Sequence, residues 1–314
     1  MRVLFWGTPE FAVPPLRALI GEGFDVVGVV TQPDKPVGRS RSERVAPPVK
    51  QVAAAEGIPV LQPERPRGDE FLAQLRNLAP DISAVVAYGH ILPQAAIDLP
   101  PHGTLNIHAS LLPLLRGAAP VQAAIREGFE QTGVSIMRMV PALDAGPVLL
   151  RAHAEIYEDE TAGELALRLS EMGAAALIEA LALIDVGAAV EEPQDDARAT
   201  YAPKIDREMT RINWRAPADV VSRTIRAYDP KPGALASLEG ADVKCFGARR
   251  STEAAGAAGE VLAIDDDGMT VACGTGAVRI AAVHPAGKQR MAPAQWARGR
   301  GVAVGARFSL PPGA

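Results

Sequence analysis

The chain is predicted to fold as a doubly wound α/β domain with a mostly parallel sheet, followed by a small β-barrel-like domain. Three observations carry this reading. Apolar runs alternate with helical stretches through residues 1–187, the pattern of parallel strands joined by helical crossovers. The stretch AAVEEPQDDARATYAPKI (188–205) is polar, proline-containing and aperiodic, and reads as a linker. Beyond it, over 206–314, short strands between Gly and Asp turns replace the alternation, as in small barrels. A length of 314 residues fits two domains better than one.

In order, VLFWG (3–7) reads as a buried strand, with Thr8 as a helix N-cap and Pro9 as the first helical residue. The helix runs to about Glu22, and VVGVVTQ (26–32) is the second strand. The next segment, PDKPVGRSRSERVAPP (33–48), has four prolines and no apolar period, so it reads as a loop. Helical VKQVAAAEG leads to strand IPVLQ, and helical DEFLAQLRNL leads to strand ISAVVAYG. LNIHAS, GVSIMRMV and GPVLLRAHAEI are later strands, and residues 161–187 form a long helix. After the linker, a helix near 218–228 precedes strands around 241–247, 259–264, 269–273 and 277–283.

Composition narrows the class of protein. Hydrophobic residues make up 48% and charged residues 22%, which supplies a core and argues against general disorder. No apolar run approaches the roughly 20 residues of a membrane helix. The opening MRVLFWGTPEF breaks at Gly-Thr-Pro, unlike a signal peptide. Cys245 and Cys273 lack metal-ligand spacing, so two unpaired thiols in a reducing cytoplasm are expected. The net charge of −5 hides an asymmetry: residues 206–314 carry 15 Lys/Arg against 11 Asp/Glu, and the preceding part carries −9. This hints at an anionic partner for the second domain; scattered surface charge would account for it equally.

The first βα turn, WGTPEF, has one glycine where the dinucleotide fingerprint needs three. The second strand ends in Thr31-Gln32, without an acidic residue for a ribose. Nicotinamide and flavin dinucleotides are therefore disfavoured. The informative stretch is LNIHASLLPLLRG (105–117). Residues two apart on a strand share one face, so Asn106 and His108 look to one side while Leu105 and Ile107 pack the other. An amide can donate to an oxygen gaining negative charge, and an imidazole can carry a proton near neutral pH. Together they suit attack on a carbonyl-type carbon. Asp144, in PALDAGPVLL, is the candidate to orient or charge the histidine. No serine or cysteine stands in a nucleophile elbow, which favours direct transfer. Each signal has an ordinary reading too: Asn-x-His as a local hydrogen-bonding pair, and Asp before Ala-Gly as a turn residue. His90, His102, His153 and His284 are scattered, and no metal is expected.

The combination is more specific than its parts. GTPEFAVPPL, TQPDKPVGR, VVAYGHILP, LNIHASLLPLLRGAAPVQ, TGVSIMRMVPALDAGPVL and HPAGKQRM follow in this order across nearly the whole chain. The chain thereby resembles the methionyl-tRNA formyltransferases, a branch of the folate-dependent formyltransferase family. The Asn-x-His-x-Ser-Leu-Leu-Pro signature marks the wider group; GTPEF, the TQPDKPVGR loop and the length of the second domain narrow it.

The resemblance implies a Rossmann-like formyltransferase fold. The activity it implies is transfer of the formyl group of 10-formyltetrahydrofolate to the amino group of initiator methionyl-tRNA. It makes Asn106, His108 and Asp144 the catalytic trio, with Asp144 favouring the protonated histidine by charge. Ser110, Leu111, Leu112 and Pro113 would line the folate site. Loop 33–48 becomes a tRNA-contacting insertion through Lys35, Arg39, Arg41 and Arg44, and the second domain (206–314) a small OB-like tRNA-binding β-barrel. A cytoplasmic monomer is expected, with no metal, DNA or membrane partner. Leu114-Leu115 stand where the family usually has a basic residue and an aromatic, which puts a tRNA contact there in doubt. The alternative acceptor is a small amine, such as an amino sugar nucleotide.

Overall fold

The first strand, RVLFWG, is buried over five of its six residues, as expected of a strand covered on both faces. It is β1 (Arg2–Gly7) of a computed structural model that describes residues 1–37, 43–251 and 256–310. The following strands are β2 (Asp25–Val30), β3 (Lys35–Val37), β4 (Glu43–Val45), β5 (Val60–Leu61), β6 (Ile82–Val86), β7 (Thr104–His108), β8 (Gln131–Arg138) and β9 (Val148–Glu155). Between them lie α1 (Val13–Gly21), α2 (Pro48–Ala55), α3 (Asp69–Asn77), α4 (Gln94–Ile97) and α5 (Pro120–Glu127), and after them comes α6 (Ala162–Asp185).

Seven strands form one sheet in the order β5-β2-β1-β6-β7-β8-β9. Pairings from β5 to β7 are parallel, and β8 runs antiparallel to β7. The chain winds outward from β1 to β2 and β5, then returns to β6 on the other side. This reversal is the switch point at which such sheets hold ligands, outside the carboxyl ends of the strands. Trp6 ties β1 to β6 by donating to Ser83 Oγ at 3.2 Å, and its ring meets Phe71 and Tyr88 edge-on. Behind β7, α6 comes close at Gly173: a Cβ there would lie 2.8 Å from Ile107. The apolar face of β7 is thus sealed by a helix, and its polar face is left for other work.

Two sequence expectations are corrected. Thr8 caps no helix. A short 3₁₀ turn (Glu10–Ala12) precedes α1, and the Thr8 hydroxyl donates to the Tyr88 carbonyl at 2.9 Å. Segment 33–48 is not a plain loop: β3 and β4 pair as an antiparallel hairpin and α2 starts at Pro48. Asp34 anchors its base, accepting from Gln62 and Lys50 at 2.8 Å each. The Gln62 hydrogen bond first, and Lys50 next, hold that carboxylate below its usual range.

The chain divides into two compact units. One comprises Met1–Gly117, Thr132–Ala154 and Ala166–Tyr201; the other comprises Ala118–Gln131, Glu155–Leu165 and Ala202–Ala314. Most of segment 188–205 therefore belongs with the first unit, and α5 with the second.

The second unit adds α7 (Ala218–Ala227), β10 (Ala234–Leu238), β11 (Ala241–Ser251), β12 (Val261–Asp265), β13 (Gly268–Ala272), β14 (Ala277–Pro285) and α8 (Pro293–Arg298). Its sheet is antiparallel, in the order β10-β11-β14-β13-β12. Late residues join the two edges: Arg307 bridges Glu260, and Phe308 bridges Leu238. The sheet curls into a small barrel around Trp214, Val243, Cys245, Val271 and Phe308, with Trp214 and Phe308 stacked at 5.3 Å.

Candidate active site

β7 lies between parallel β6 and antiparallel β8, with Asn106 opposite Val85 and Met137, and His108 opposite Ser135. Strand alternation puts Asn106 and His108 on one face, roughly 6.6 Å apart along the strand. Asn106 is half-buried, and its carboxamide has no hydrogen-bond partner among the described residues. His108 is 5% exposed.

After His108 the chain turns through residues 109–117, and short bonds hold this loop. Ser135 Oγ donates to the Ser110 carbonyl at 2.7 Å and accepts from the Leu112 amide at 3.1 Å. The Ser110 hydroxyl donates to the Leu114 carbonyl at 2.5 Å, and Arg151 Nε donates to the Leu112 carbonyl at 3.0 Å. The Leu112–Pro113 peptide is cis. Leu112 is buried with Met137 and Val148, whereas Leu111 and Pro113 are half-buried. Of the four residues expected along a folate wall, Ser110 and Leu112 thus hold and support the loop, and Leu111 and Pro113 keep accessible surface.

The loop also fixes the histidine. Leu115 adopts φ 57°, in the left-handed region that bulky residues seldom visit, and its carbonyl oxygen lies 2.9 Å from His108 Nε2. A carbonyl only accepts, so Nε2 carries the hydrogen and Nδ1 faces the other way. There it meets Asp144 Oδ2 at 3.7 Å. Asp144 is left-handed at φ 48°, and Oδ2 accepts from the Gly117 amide at 2.8 Å. Close by in sequence, Gly146 is required for approach: a Cβ would fall 1.9 Å from the Arg138 carbonyl oxygen.

The expected linker takes part as well. Thr200 Oγ1 accepts from the Leu115 amide at 2.9 Å, Arg116 pairs with Tyr201, and Glu192 pairs with Val148. Sequence reasoning missed this contribution, because a polar aperiodic stretch carries no pattern that tells a strap from a spacer.

Other expected contacts lie on other elements. Lys35 and Arg44 are exposed on the β3–β4 hairpin, which follows the carboxyl end of β2; Arg39 and Arg41 lie outside the described residues. In the second unit a cavity of about 760 Å³ is edged by Lys204, Arg207, Lys231 and Lys244, against Asp206 and Asp242. Among the described residues, no His/Cys/Asp/Glu group could hold a metal, and no helix is long and apolar enough to cross a membrane.

Residues 1–181 match the formyl transferase family, and residues 204–301 match the formyl transferase C-terminal domain. Two relatives named methionyl-tRNA formyltransferase align over nearly full length. That of Bacillus licheniformis is 44% identical over 98% of both chains, and that of Aromatoleum aromaticum is 46% identical over 98% of this chain and 97% of its own. The chain belongs to the methionyl-tRNA formyltransferase family. The same fold occurs in HypX from Aquifex aeolicus, solved in complex with tetrahydrofolic acid (TM-score 0.69, 23% identity). The alignment covers 94% of this chain and about half, 46%, of HypX. The chain carries both domains of a formyltransferase, and as a member of this family it is an enzyme.

Proposed function

We propose that the chain transfers the formyl group of 10-formyltetrahydrofolate to the free amino group of initiator methionyl-tRNA, by direct attack through a tetrahedral intermediate. The observation that carries the reading is the fixed His108 ring. Leu115 holds Nε2, and Nδ1 is presented toward Asp144 beside the uncommitted Asn106 carboxamide.

The amine nitrogen bonds to the formyl carbon, and the formyl oxygen becomes an oxyanion. Asn106 donates to that oxygen, a contribution on the order of 3 kcal/mol to the barrier. His108 Nδ1 takes the proton shed by the amine, and the Asp144 carboxylate offsets the imidazolium charge. The bond between the formyl carbon and N10 of the folate then breaks, N10 receives the proton, and tetrahydrofolate leaves. No group of the enzyme is acylated.

Leu111 and Pro113 would present apolar surface to the folate, with Ser110 and Leu112 shaping the loop behind them. Ile91, 94% exposed in the loop after β6, and Leu143, 62% exposed beside Asp144, supply further apolar contact. The tRNA would meet the hairpin through Lys35 and Arg44, joined by Arg39 and Arg41, and the lysine-edged cavity of the second unit. Phosphate contacts of this kind position a nucleic acid and weaken with salt. The reaction belongs in the cytoplasm, where the free thiols Cys245 and Cys273 stay reduced.

The test is a transfer assay with 10-formyltetrahydrofolate labelled in the formyl group. Acid-stable label is expected on charged initiator tRNA, far less on charged elongator methionine tRNA, and none on an amino sugar nucleotide. Label moving preferentially to the sugar, or released as formate without an acceptor, would overturn the reading.

A further inference from the structure

We propose that Gln194 is a positioning residue for Asp144, itself oriented by the buried guanidinium of Arg116; the inference rests on the formyl-transfer reading above. Gln194 Nε2 donates to the carbonyl oxygens of Asp144 and Gly146, at 2.8 and 2.7 Å. Its Oε1 accepts from Arg116 Nε at 3.0 Å and from Nη2 at 2.8 Å. A guanidinium only donates and a carbonyl only accepts, so the amide can sit only one way round.

Arg116 is 3% exposed, and besides Gln194 it reaches Asp196 Oδ1 at 2.7 Å. A guanidinium this buried keeps its place only while its hydrogen bonds are met. Its backbone amide donates to the Thr200 carbonyl at 2.9 Å, so the segment that supplies Gln194 also holds Arg116. Next to Arg116, the Gly117 amide donates to Asp144 Oδ2. Asp144 is therefore gripped twice from neighbouring residues of the histidine loop: by its carboxylate through Gly117, and by its backbone through Arg116 and Gln194. This closed circuit holds an aspartate at φ 48°, a backbone state that persists where the surroundings enforce it, and it sets the distance from Oδ2 to His108 Nδ1.

Glutamine alone fits the circuit. Asparagine is one methylene too short to reach both sides. Glutamate would turn a carboxylate oxygen against two carbonyl oxygens.

The experiment is single-turnover formylation at saturating concentrations of both substrates, with Gln194→Ala and Asp144→Asn made singly and together. Gln194→Ala is expected to slow transfer about 10- to 100-fold, while the folate dissociation constant, read by fluorescence, changes less than about threefold. In the Asp144→Asn background the same substitution is expected to change the rate less than about twofold, because Gln194 acts through Asp144. Gln194→Glu keeps an acceptor for Arg116 but sets an oxygen against the two carbonyls, and is expected to show at least the same loss and the same dependence on Asp144. An equal fold-loss in both backgrounds, or a Gln194→Ala rate within about twofold of the parent, would overturn the proposal. Should the parent enzyme formylate a different acceptor, the comparison is made on that acceptor, so failure of the functional reading is distinguished from failure of this one.

Discussion

His108 Nε2 and the Leu115 carbonyl oxygen stand 2.9 Å apart, and this bond decides which nitrogen of the ring meets Asp144. His108→Gln can still donate to Leu115 but cannot carry the proton. It is expected to fold normally and to lose transfer rate by about 10²- to 10⁴-fold, with folate binding near that of the parent. Rapid-quench kinetics and a folate titration measure the two effects separately. A variant that keeps its rate would remove His108 from proton transfer.

Asp144→Asn removes a charge while leaving an acceptor for the Gly117 amide. Thermal unfolding should therefore shift by no more than about 2 °C, a change on the order of 1 kcal/mol, while transfer slows about 100-fold or more. Calorimetry and the transfer assay check this pair of outcomes. A large loss of stability with little loss of rate would make Asp144 a turn residue.

Burial pushes the Cys245 and Cys273 thiols from 9.0 up to about 12, and the Tyr88 phenol from 10.0 up to about 12. Above pH 9 the unfolded chain releases protons that the folded chain retains, so stability falls as pH rises. Unfolding free energy from urea titrations is expected to be fully kept below pH 9 as far as these groups are concerned, and to decline between pH 9 and 12. At pH 8 neither thiol should react with a disulfide reagent until the chain unfolds. Fast labelling of the native protein would contradict the burial.

Phe308→Ala should destabilise the second unit by about 3–5 kcal/mol. Phe308 is 1% exposed, stacks on Trp214, and belongs to the segment that joins the two sheet edges. Urea unfolding followed by tryptophan fluorescence would show the lowered midpoint. An unchanged midpoint would mean that the closing segment contributes nothing to the barrel.

Much of this was legible because side-chain period is a local property. Alternation along LNIHAS put Asn106 and His108 on one face, and the close approach of Ile107 to Gly173 shows the opposite face sealed by α6. The long helix was readable from its apolar period, and it runs from Ala162 to Asp185. Where the reading fell short, no local period existed. The β3–β4 hairpin has three residues per strand, one of them proline, too few to register as alternation. The eight-residue helix α5, opened by Pro120, lies between segments with stronger apolar periods. Gln194 meets backbone 50 residues away, and a polar stretch gives no sign of such a partner. Beside Pro9, Thr8 reads as a cap, whereas tertiary bonding to Tyr88 claims its hydroxyl.

The most direct test of the central claim is the single-turnover rate of formyl transfer to initiator methionyl-tRNA by Asn106→Ala, measured beside its affinity for the folate. The account requires a fall of about 10²- to 10³-fold in rate, with folate affinity within about threefold of the parent. A rate equal to that of the parent, or a loss explained wholly by weaker folate binding, would contradict it.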